Sequence, residues 1–117
     1  MGRPVVHFEV NGRDMAKLGE FFKELFDWDI QPIPDMSYTI VTPGEGPAGG
    51  IGQVESEDQM WVTFYVEVDD PAAHLKKAEQ LGGSILMPVS EVPGGPTIGM
   101  FATPEGHKIG VVKTNTP

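Results

Sequence analysis

The segment FYVEVDDPAAHLKKAEQLGG, residues 64–83, predicts a β-strand followed directly by an α-helix. Residues alternate in character from Trp61 to Val68, which is typical of a strand with one buried face. One predicted face carries Val62, Phe64, Val66 and Val68 and the other carries Thr63, Tyr65 and Glu67. The side-chain character of the two faces predicts a half-buried strand.

The predicted helix has a recognisable start and end. Asp70 can accept hydrogen bonds from the first turn, Pro71 suits the first helical position, and Gly82 suits the C-terminal cap. An apolar stripe at helical spacing runs through Ala72, Leu75, Ala78 and Leu81. This stripe indicates that the helix packs against one face of a sheet.

The N-terminal half has the same order of elements. Residues 5–10 alternate, with Val6, Phe8 and Val10 on one face and Val5, His7 and Glu9 on the other. Residues 11–13 are predicted to end this strand, and Asp14 to cap a helix. The apolar stripe of that helix is Met15, Leu18, Phe22 and Leu25.

Further strands are predicted after each helix, at Trp28–Ile33, Ser37–Thr42, Ile51–Val54, Ser84–Met87, Ile98–Thr103 and Lys108–Lys113. FEV at 8–10 aligns with VEV at 66–68, and GIG at 50–52 aligns with KIG at 108–110, both at an offset of 58. The sequence therefore predicts an α+β fold of two βαβββ modules, at about 4–56 and 60–114, within a single domain spanning 1–117. Each helix would cover one sheet face, and the uncovered faces would form a cleft.

Composition narrows the functional classes. The chain has 117 residues, a formal net charge of −9 and no cysteine. No basic stripe is available to neutralise nucleic-acid phosphates, so nucleic acid is not an expected partner. Without cysteine, disulfides and thiolate sites are excluded. No apolar run is long enough to span a bilayer and no signal peptide is recognisable, so we expect a cytoplasmic protein that does not interact with membranes.

Four segments together resemble the vicinal oxygen chelate superfamily, and specifically its small glyoxalase/bleomycin-resistance-like proteins. These segments are VVHFEV at 5–10, FFKELFDW at 21–28, residues 64–83, and FATPEGHKIGVV at 101–112. The resemblance implies paired βαβββ modules that form a cupped mixed sheet, with helices on the outer face and a pocket inside. It also implies a homodimer.

The metal enzymes of this superfamily carry His and Glu ligands on four strands. The resemblance assigns those positions to Val5, Gly52, Thr63 and Gly110. Val and Gly have no ligating side chain, and a single Thr hydroxyl is a poor ligand for a divalent ion. We therefore expect no metal at the usual position and no cofactor.

The predicted inward face of the first strand carries His7 and Glu9, and that of the corresponding second-half strand carries Tyr65 and Glu67. His7 has three interpretations: a structural or ligand-contacting side chain, an acid–base group with Glu9 or Glu67, or a ligand in a relocated metal site. Aromatic and apolar candidates for the pocket wall are Trp28, Tyr38, Trp61, Met100 and Phe101. His74 and His107 are expected to be solvated.

Two functions remain open. The preferred one is a metal-free protein that binds a small organic molecule in the cup, with His7, Glu9, Tyr38, Trp61, Tyr65, Glu67 and Phe101 as candidate contacts. Because Glu9 and Glu67 would both face the cup, the ligand is expected to be cationic or aromatic. The alternative is a lyase, isomerase or dioxygenase of the superfamily that uses His7 with Glu9 or Glu67. A regulatory subunit with a vestigial pocket is a third possibility.

Overall fold

The first module begins with a strand and a helix that pack on each other. In the computed structural model, which describes residues 2–114, β1 is Val5–Gly12 and α1 is Met15–Phe26. They are followed by β2 at Asp29–Ile33, β3 at Tyr38–Thr42 and β4 at Ala48–Gln53. Short 3-10 turns lie at Pro34–Met36 and Glu57–Gln59. This order is the predicted βαβββ module.

The second module repeats the order. Its elements are β5 at Val62–Val68, α2 at Pro71–Gln80, β6 at Ser84–Glu91, β7 at Thr97–Ala102 and β8 at Lys108–Lys113. The chain divides into two compact units, residues 6–63 and residues 2–5 with 64–114. The predicted α+β fold of two βαβββ modules is thereby confirmed.

Each unit contains a mixed sheet. The strand order is β2-β3-β4-β1 in the first unit and β5-β8-β7-β6 in the second. The pairs β1/β4 and β5/β8 are parallel, while β2/β3, β3/β4, β6/β7 and β7/β8 are antiparallel. A parallel pair requires a long crossover, which the intervening helix and strands provide.

Both helices begin at the predicted aspartates. Asp14 accepts a hydrogen bond from the Lys17 backbone N–H at 3.1 Å, and Asp70 accepts one from the Ala73 N–H at 3.2 Å. Pro71 occupies the first turn of α2. Each aspartate satisfies an amide that has no partner inside its helix, which stabilises it by roughly 1 kcal/mol.

The end of α2 explains its paired glycines. Gly82 has a φ of +100°, in the left-handed region that favours glycine. Its N–H donates to the Glu79 carbonyl at 3.2 Å, and the Gly83 N–H donates to the Ala78 carbonyl at 2.9 Å. This is a Schellman motif. A Cβ at Gly83 would also meet the Ala102 carbonyl oxygen at 2.5 Å, so the position needs glycine for packing.

The cores lie between each helix and its sheet. In the first unit, Val41 and Ile51 are fully buried, and Gly19 of α1 lets the helix approach Ile30 and Ile51. In the second unit, a cluster of Val68, Leu75 and Val111 is buried, with Val66 and Phe101 packed against it. Val66 and Val68, which alternation predicted for the buried face of their strand, lie in this core.

Several predicted boundaries were wrong. β1 continues to Gly12 and β4 begins at Ala48, because Asn11 and Gly12 pair with Gly52 and Gln53 while His7 pairs with Ala48. Glycine is depleted in strands, so the sequence AGG at 48–50 is typical of a loop. These residues form a strand because they pair with β1. β6 extends to Glu91 instead of ending at Met87, by pairing with β7 through two register shifts.

The predicted buried face of β5 is only partly buried. Val66 and Val68 pack in the core, but Val62 is 73% exposed and Phe64 40% exposed. The core cluster that contains Leu75 of α2 includes the C-terminal part of the strand, and this accounts for the difference. Neither helix of the described residues is long and apolar enough to cross a membrane.

Candidate functional site

The candidate site lies on the face of the first unit's sheet that points away from α1. His7, Glu9 and Asn11 alternate along β1, directly opposite Ala48, Gly50 and Gly52 of β4. The other face carries Phe8 against Gly49, and Ile51 near the helix. Strand alternation therefore separates a polar row from the core, as the sequence predicted for His7 and Glu9.

Tyr38 joins the polar row from a different strand. Its hydroxyl lies 2.9 Å from His7 Nε2 and donates to Glu9 Oε2 at 3.2 Å. A tyrosine hydroxyl has one proton, so with that proton donated to Glu9 the His7 Nε2–H is the donor to the hydroxyl oxygen. The three side chains form one hydrogen-bonded chain.

Two glycines of β4 make this arrangement possible. Tyr38 pairs with Gly52 and Ile40 with Gly50, so the Tyr38 side chain must cross β4 to reach β1. A Cβ at Gly50 would overlap the Tyr38 hydroxyl, and one at Gly52 would overlap the Asn11 side-chain oxygen. Glycine inside a strand often marks such a close approach. Tyr38 was predicted to line a pocket, but its path across β4 was not predicted; the glycines at 49, 50 and 52 were the available signal.

Burial shifts the two ionisable groups in opposite directions. His7 is half-buried, and desolvation lowers its pKa. Desolvation also raises the pKa of Glu9, against a smaller opposing effect of the hydrogen bonds from Tyr38 and Asn11. Both shifts favour the uncharged forms. The site is therefore suited to hydrogen bonding with a ligand and to proton exchange.

The second unit places its candidates differently. Tyr65 lies over Gly110, where a Cβ would overlap the ring, and Thr63 and Tyr65 are buried. Glu67 is half-buried and its backbone N–H donates to the Pro4 carbonyl at 2.9 Å. Phe101 packs against the core cluster on the helix-covered face, so it does not share a face with Tyr65.

The remaining aromatic candidates belong to the first unit. Trp61 is half-buried, and its carbonyl accepts a hydrogen bond from the Asn11 N–H at 3.0 Å. Trp28 packs in an aromatic cluster, with ring centroids 4.8 Å from Phe26 and 5.6 Å from Phe8. Phe8 lies on the face opposite His7, so Trp28 belongs to the core rather than to the site.

The other two histidines lie near helix and turn backbone. His74 is half-buried, and its Nδ1 lies 3.1 Å from the Asp70 carbonyl. His107 is exposed and its Nδ1 lies 3.0 Å from the Thr103 hydroxyl. His107 fits the prediction of a solvated side chain, whereas His74 is partly covered.

The positions that the resemblance assigned to metal ligands do not form an equivalent set. Gly52 pairs with Asn11, whereas Gly110 pairs with Tyr65. His7 pairs with Ala48, 41 positions later, whereas Tyr65 pairs with Gly110, 45 positions later. A constant offset of 58 between the modules therefore misaligns β4 and β8. Within residues 2–114, no three His, Asp or Glu side chains are grouped so as to hold a metal ion.

Comparison with known families agrees with this architecture. Residues 7–112 match the sequence model of the glyoxalase-like domain. The chain belongs to the glyoxalase-like domain family. Its predicted relationship to the vicinal oxygen chelate superfamily is confirmed.

Solved structures show the same fold. A glyoxalase/bleomycin resistance protein/dioxygenase superfamily member from Vibrio splendidus is 17% identical, with a TM-score of 0.67 over 97% of this chain and 100% of that one. Methylmalonyl-CoA epimerase from Streptomyces coelicolor, solved with 2-nitronate-propionyl-CoA, is 12% identical, with a TM-score of 0.66 over 97% and 99%.

A curated relative is the anthracycline biosynthesis protein DnrV from Streptomyces peucetius. It is 27% identical over 123 aligned positions, which cover 89% of this chain and 44% of the relative. The chain therefore spans less than half the length of that relative.

Proposed function

We propose that this glyoxalase-like protein binds a small aromatic molecule on the polar face of its first module, without needing a metal or cofactor. The observation that carries the proposal is the Tyr38 hydroxyl, held between His7 and Glu9 over Gly50. Three half-buried polar side chains that are joined by hydrogen bonds and lie beside apolar surface are typical of a ligand-binding site.

The charge of this face indicates which ligands would bind. The residues of β1, β4 and β3 that share it are His7, Glu9, Asn11, Ala48, Gly50, Gly52, Tyr38, Ile40 and Thr42. None of these described residues is Lys or Arg, and the carboxyl of Glu9 is the acidic group among them. An aromatic ligand with a basic amine is therefore favoured over an anion. The name of the relative DnrV also supports an aromatic ligand.

The other candidate contacts extend the proposal. Trp61 remains a candidate contact of the first unit, and Tyr65 and Glu67 remain candidate contacts on the helix-free face of the second unit. Phe101 is no longer a candidate for this site, because it packs on the helix-covered face of its sheet.

Isothermal titration tests this function with two aromatic probes of opposite charge. We expect daunorubicin, a cation, to bind at least tenfold more tightly than anthraquinone-2-sulfonate, an anion. Glu9→Gln and Tyr38→Phe should each weaken daunorubicin binding by about tenfold, which corresponds to about 1.4 kcal/mol.

The matched control is Glu45→Gln, which removes one carboxylate from an exposed loop. It should leave the affinity unchanged, since it alters net charge without touching the site. Preference for the sulfonate, or equal losses in Glu9→Gln and Glu45→Gln, would refute the proposal. Glu67→Gln tests separately whether the second module contributes.

An acid–base enzyme is the second candidate function. It is favoured by one observation: the pKa of Glu9 is raised and that of His7 lowered, and both groups bond the same hydroxyl. Such groups can exchange protons with a substrate near neutral pH. Incubating a bound ligand in D₂O and following its C–H signals by NMR separates the functions. Deuterium incorporation that His7→Gln abolishes would establish the enzyme.

We also propose a metal-independent homodimer that works in the cytoplasm. The dimer is supported by β6, an end strand of the second unit's sheet with Ile85, Leu86 and Val89 exposed. Light scattering should give twice the 12.7 kDa chain mass. Elemental analysis of protein grown in metal-supplemented medium should find less than one transition-metal ion per chain. A tightly held ion that His7→Ala removes would place a metal at His7 and Glu9.

A further inference from the structure

The second module contains a cavity that is lined by none of the residues of the first module's polar face. It has a volume of about 390 Å³ and lies between α2 and the helix-covered face of the sheet. Its apolar walls are Val66, Val68, Phe101 and Val111 from the sheet and Ala78 and Leu81 from the helix. This size is at the lower end of the range for small-molecule sites.

Basic residues stand around the cavity. His74, Lys77, Ala78 and Leu81 recur at helical spacing, so they lie along one side of α2, and Arg3 lines the cavity as well. Among the described lining residues none is acidic, although the chain has 17 acidic and only 8 basic residues. The cavity therefore concentrates positive charge in a chain whose overall charge is negative.

The two cations that line the cavity, Arg3 and Lys77, are accessible to a ligand. Arg3 forms an ion pair with Asp69 at 3.5 Å, but the two side chains are 50% and 70% exposed, so the pair is weak. Lys77 is exposed on the last turn of α2.

We propose that this cavity binds a small amphipathic anion, such as a medium-chain or aryl carboxylate. The apolar part would contact Ala78, Leu81 and Phe101, and the carboxylate would face Lys77 and Arg3. Charge complementarity selects this ligand class over the cationic molecule proposed for the His7 face, because Arg3 and Lys77 line this cavity, whereas the strand residues named for that face include no Lys or Arg. Leu81, which lines the cavity, is 70% exposed and is therefore accessible to such a ligand.

Three eight-carbon probes that differ only in head group test the charge requirement. Octanoate, 1-octanol and octylammonium are titrated into the full chain, with ¹⁵N chemical-shift mapping to locate binding. We expect octanoate to bind at least tenfold more tightly than octylammonium and to shift the amides of residues 74–83 and 101–103. Octylammonium binding as tightly as octanoate would overturn the proposal.

Two lysines on α2 give a matched pair of variants. Lys77→Gln should weaken octanoate binding by fivefold to tenfold and leave 1-octanol unchanged. Lys76→Gln removes the same charge from an exposed neighbour outside the cavity and should change little. Equal effects of the two variants would show nonspecific attraction and reject the site.

The apolar part and the location are tested separately. Ala78→Leu should fill the cavity and abolish binding of both octanoate and 1-octanol. If that variant unfolds, the lysine pair decides the question, because both side chains are exposed. His7→Gln should leave octanoate binding unchanged, which distinguishes this cavity from the function proposed for the first module. Shifts that map to β1 instead would refute the cavity.

Discussion

The two modules share an order of elements but use their helix-free sheet faces differently. In the first module, the row His7, Glu9 and Asn11 meets Tyr38 across the glycines of β4. In the second, Tyr65 lies over Gly110 and is 7% exposed. One face is a hydrogen-bonded polar chain, and the other is closed by an aromatic ring.

The difference shows that the repeat duplicates the scaffold and not the site. Helix caps, the apolar stripe and the parallel strand pair recur because each module needs them to bury its own core. The residues on the opposite face are free of that requirement, so they diverge. Proline, glycine and aspartate at the helix ends are thus informative about fold, whereas function must be argued from the diverging face.

The largest expected effect is on the shared scaffold. Leu75→Ala should lower the free energy of unfolding by about 3 kcal/mol, because Leu75 is 2% exposed in the core cluster of α2. Leu81→Ala, at the C-cap of the same helix and 70% exposed, should change it by less than about 0.5 kcal/mol. Urea denaturation measures both.

Ligand titration of the folded Leu75→Ala protein sharpens the comparison. If the His7 face belongs to the first module alone, its affinity for daunorubicin should be unchanged. A large loss of affinity in a folded Leu75→Ala variant would show that the modules are not independent in function.

Two matched glycine substitutions compare the faces directly. Gly110→Ala would place a methyl group 2.8 Å from Tyr65 Cγ, at the base of a buried ring, and should cost about 2–3 kcal/mol. Gly50→Ala would place its methyl at the hydroxyl end of Tyr38. Because Tyr38 is half-buried and its side chain can move, this substitution should lower the free energy of unfolding by only about 1 kcal/mol. Thermal and urea unfolding measure the two costs.

Adding Tyr38→Leu to Gly50→Ala provides the control. Removing the hydroxyl end should remove the overlap, so the double variant should be no less stable than Tyr38→Leu alone. Equal losses for Gly50→Ala and Gly110→Ala would contradict the distinction between a closed face and an adaptable one.

Much of the scaffold could be predicted because its signals are local. Asp14, Asp70 and Pro71 act within one turn of helix, and alternation assigns Val66 and Val68 to the core without knowledge of the partner strand. The start of β4 at Ala48 and the shifted register of the second parallel pair could not be predicted, since both depend on hydrogen bonds with distant strands.

The site was predicted only in part for the same reason. Alternation correctly gave His7 and Glu9 a common face, and Tyr38 was proposed for the pocket wall. The hydrogen bonds between Tyr38 and these two side chains were not predicted. They form because Tyr38, 31 positions after His7, reaches β1 across the glycines of β4. Phe101 was proposed as a ligand contact, but the sequence does not show which face of β7 the helix covers, and Phe101 packs on that face.

A smaller effect is expected from removing the bridging hydroxyl. Tyr38→Phe deletes the hydrogen bonds to His7 and Glu9 and should lower the free energy of unfolding by about 1 kcal/mol. The pKa of Glu9 should rise further, because the hydrogen bond from Tyr38 opposes the effect of burial. Carboxyl ¹³C NMR titration measures that pKa.

A double-mutant cycle with Glu9→Gln isolates the bond. If Tyr38 acts through Glu9, the two substitutions should be non-additive in stability. Strictly additive losses, with an unchanged Glu9 pKa in Tyr38→Phe, would show that the hydroxyl does not couple to the carboxyl.

The smallest effect is the pH dependence of stability, in which His7 and Glu9 act in opposite directions. Burial lowers the pKa of His7 from 6.5, so as pH falls below 6.5 the unfolded chain takes up a proton that the folded chain resists. Stability is then lost with falling pH, and His7→Gln should reduce that loss.

Burial raises the pKa of Glu9 from 4.5, so as pH rises above 4.5 the unfolded chain releases a proton that the folded chain retains. Glu9→Gln should therefore gain stability relative to wild type as pH rises from 4.5. Urea unfolding midpoints between pH 4.5 and 8, with the double variant as the control that lacks both groups, would show these opposing slopes. If the difference in urea midpoint between Glu9→Gln and wild type does not vary with pH, Glu9 is not desolvated. The polar face would then be as hydrated as the rest of the protein surface.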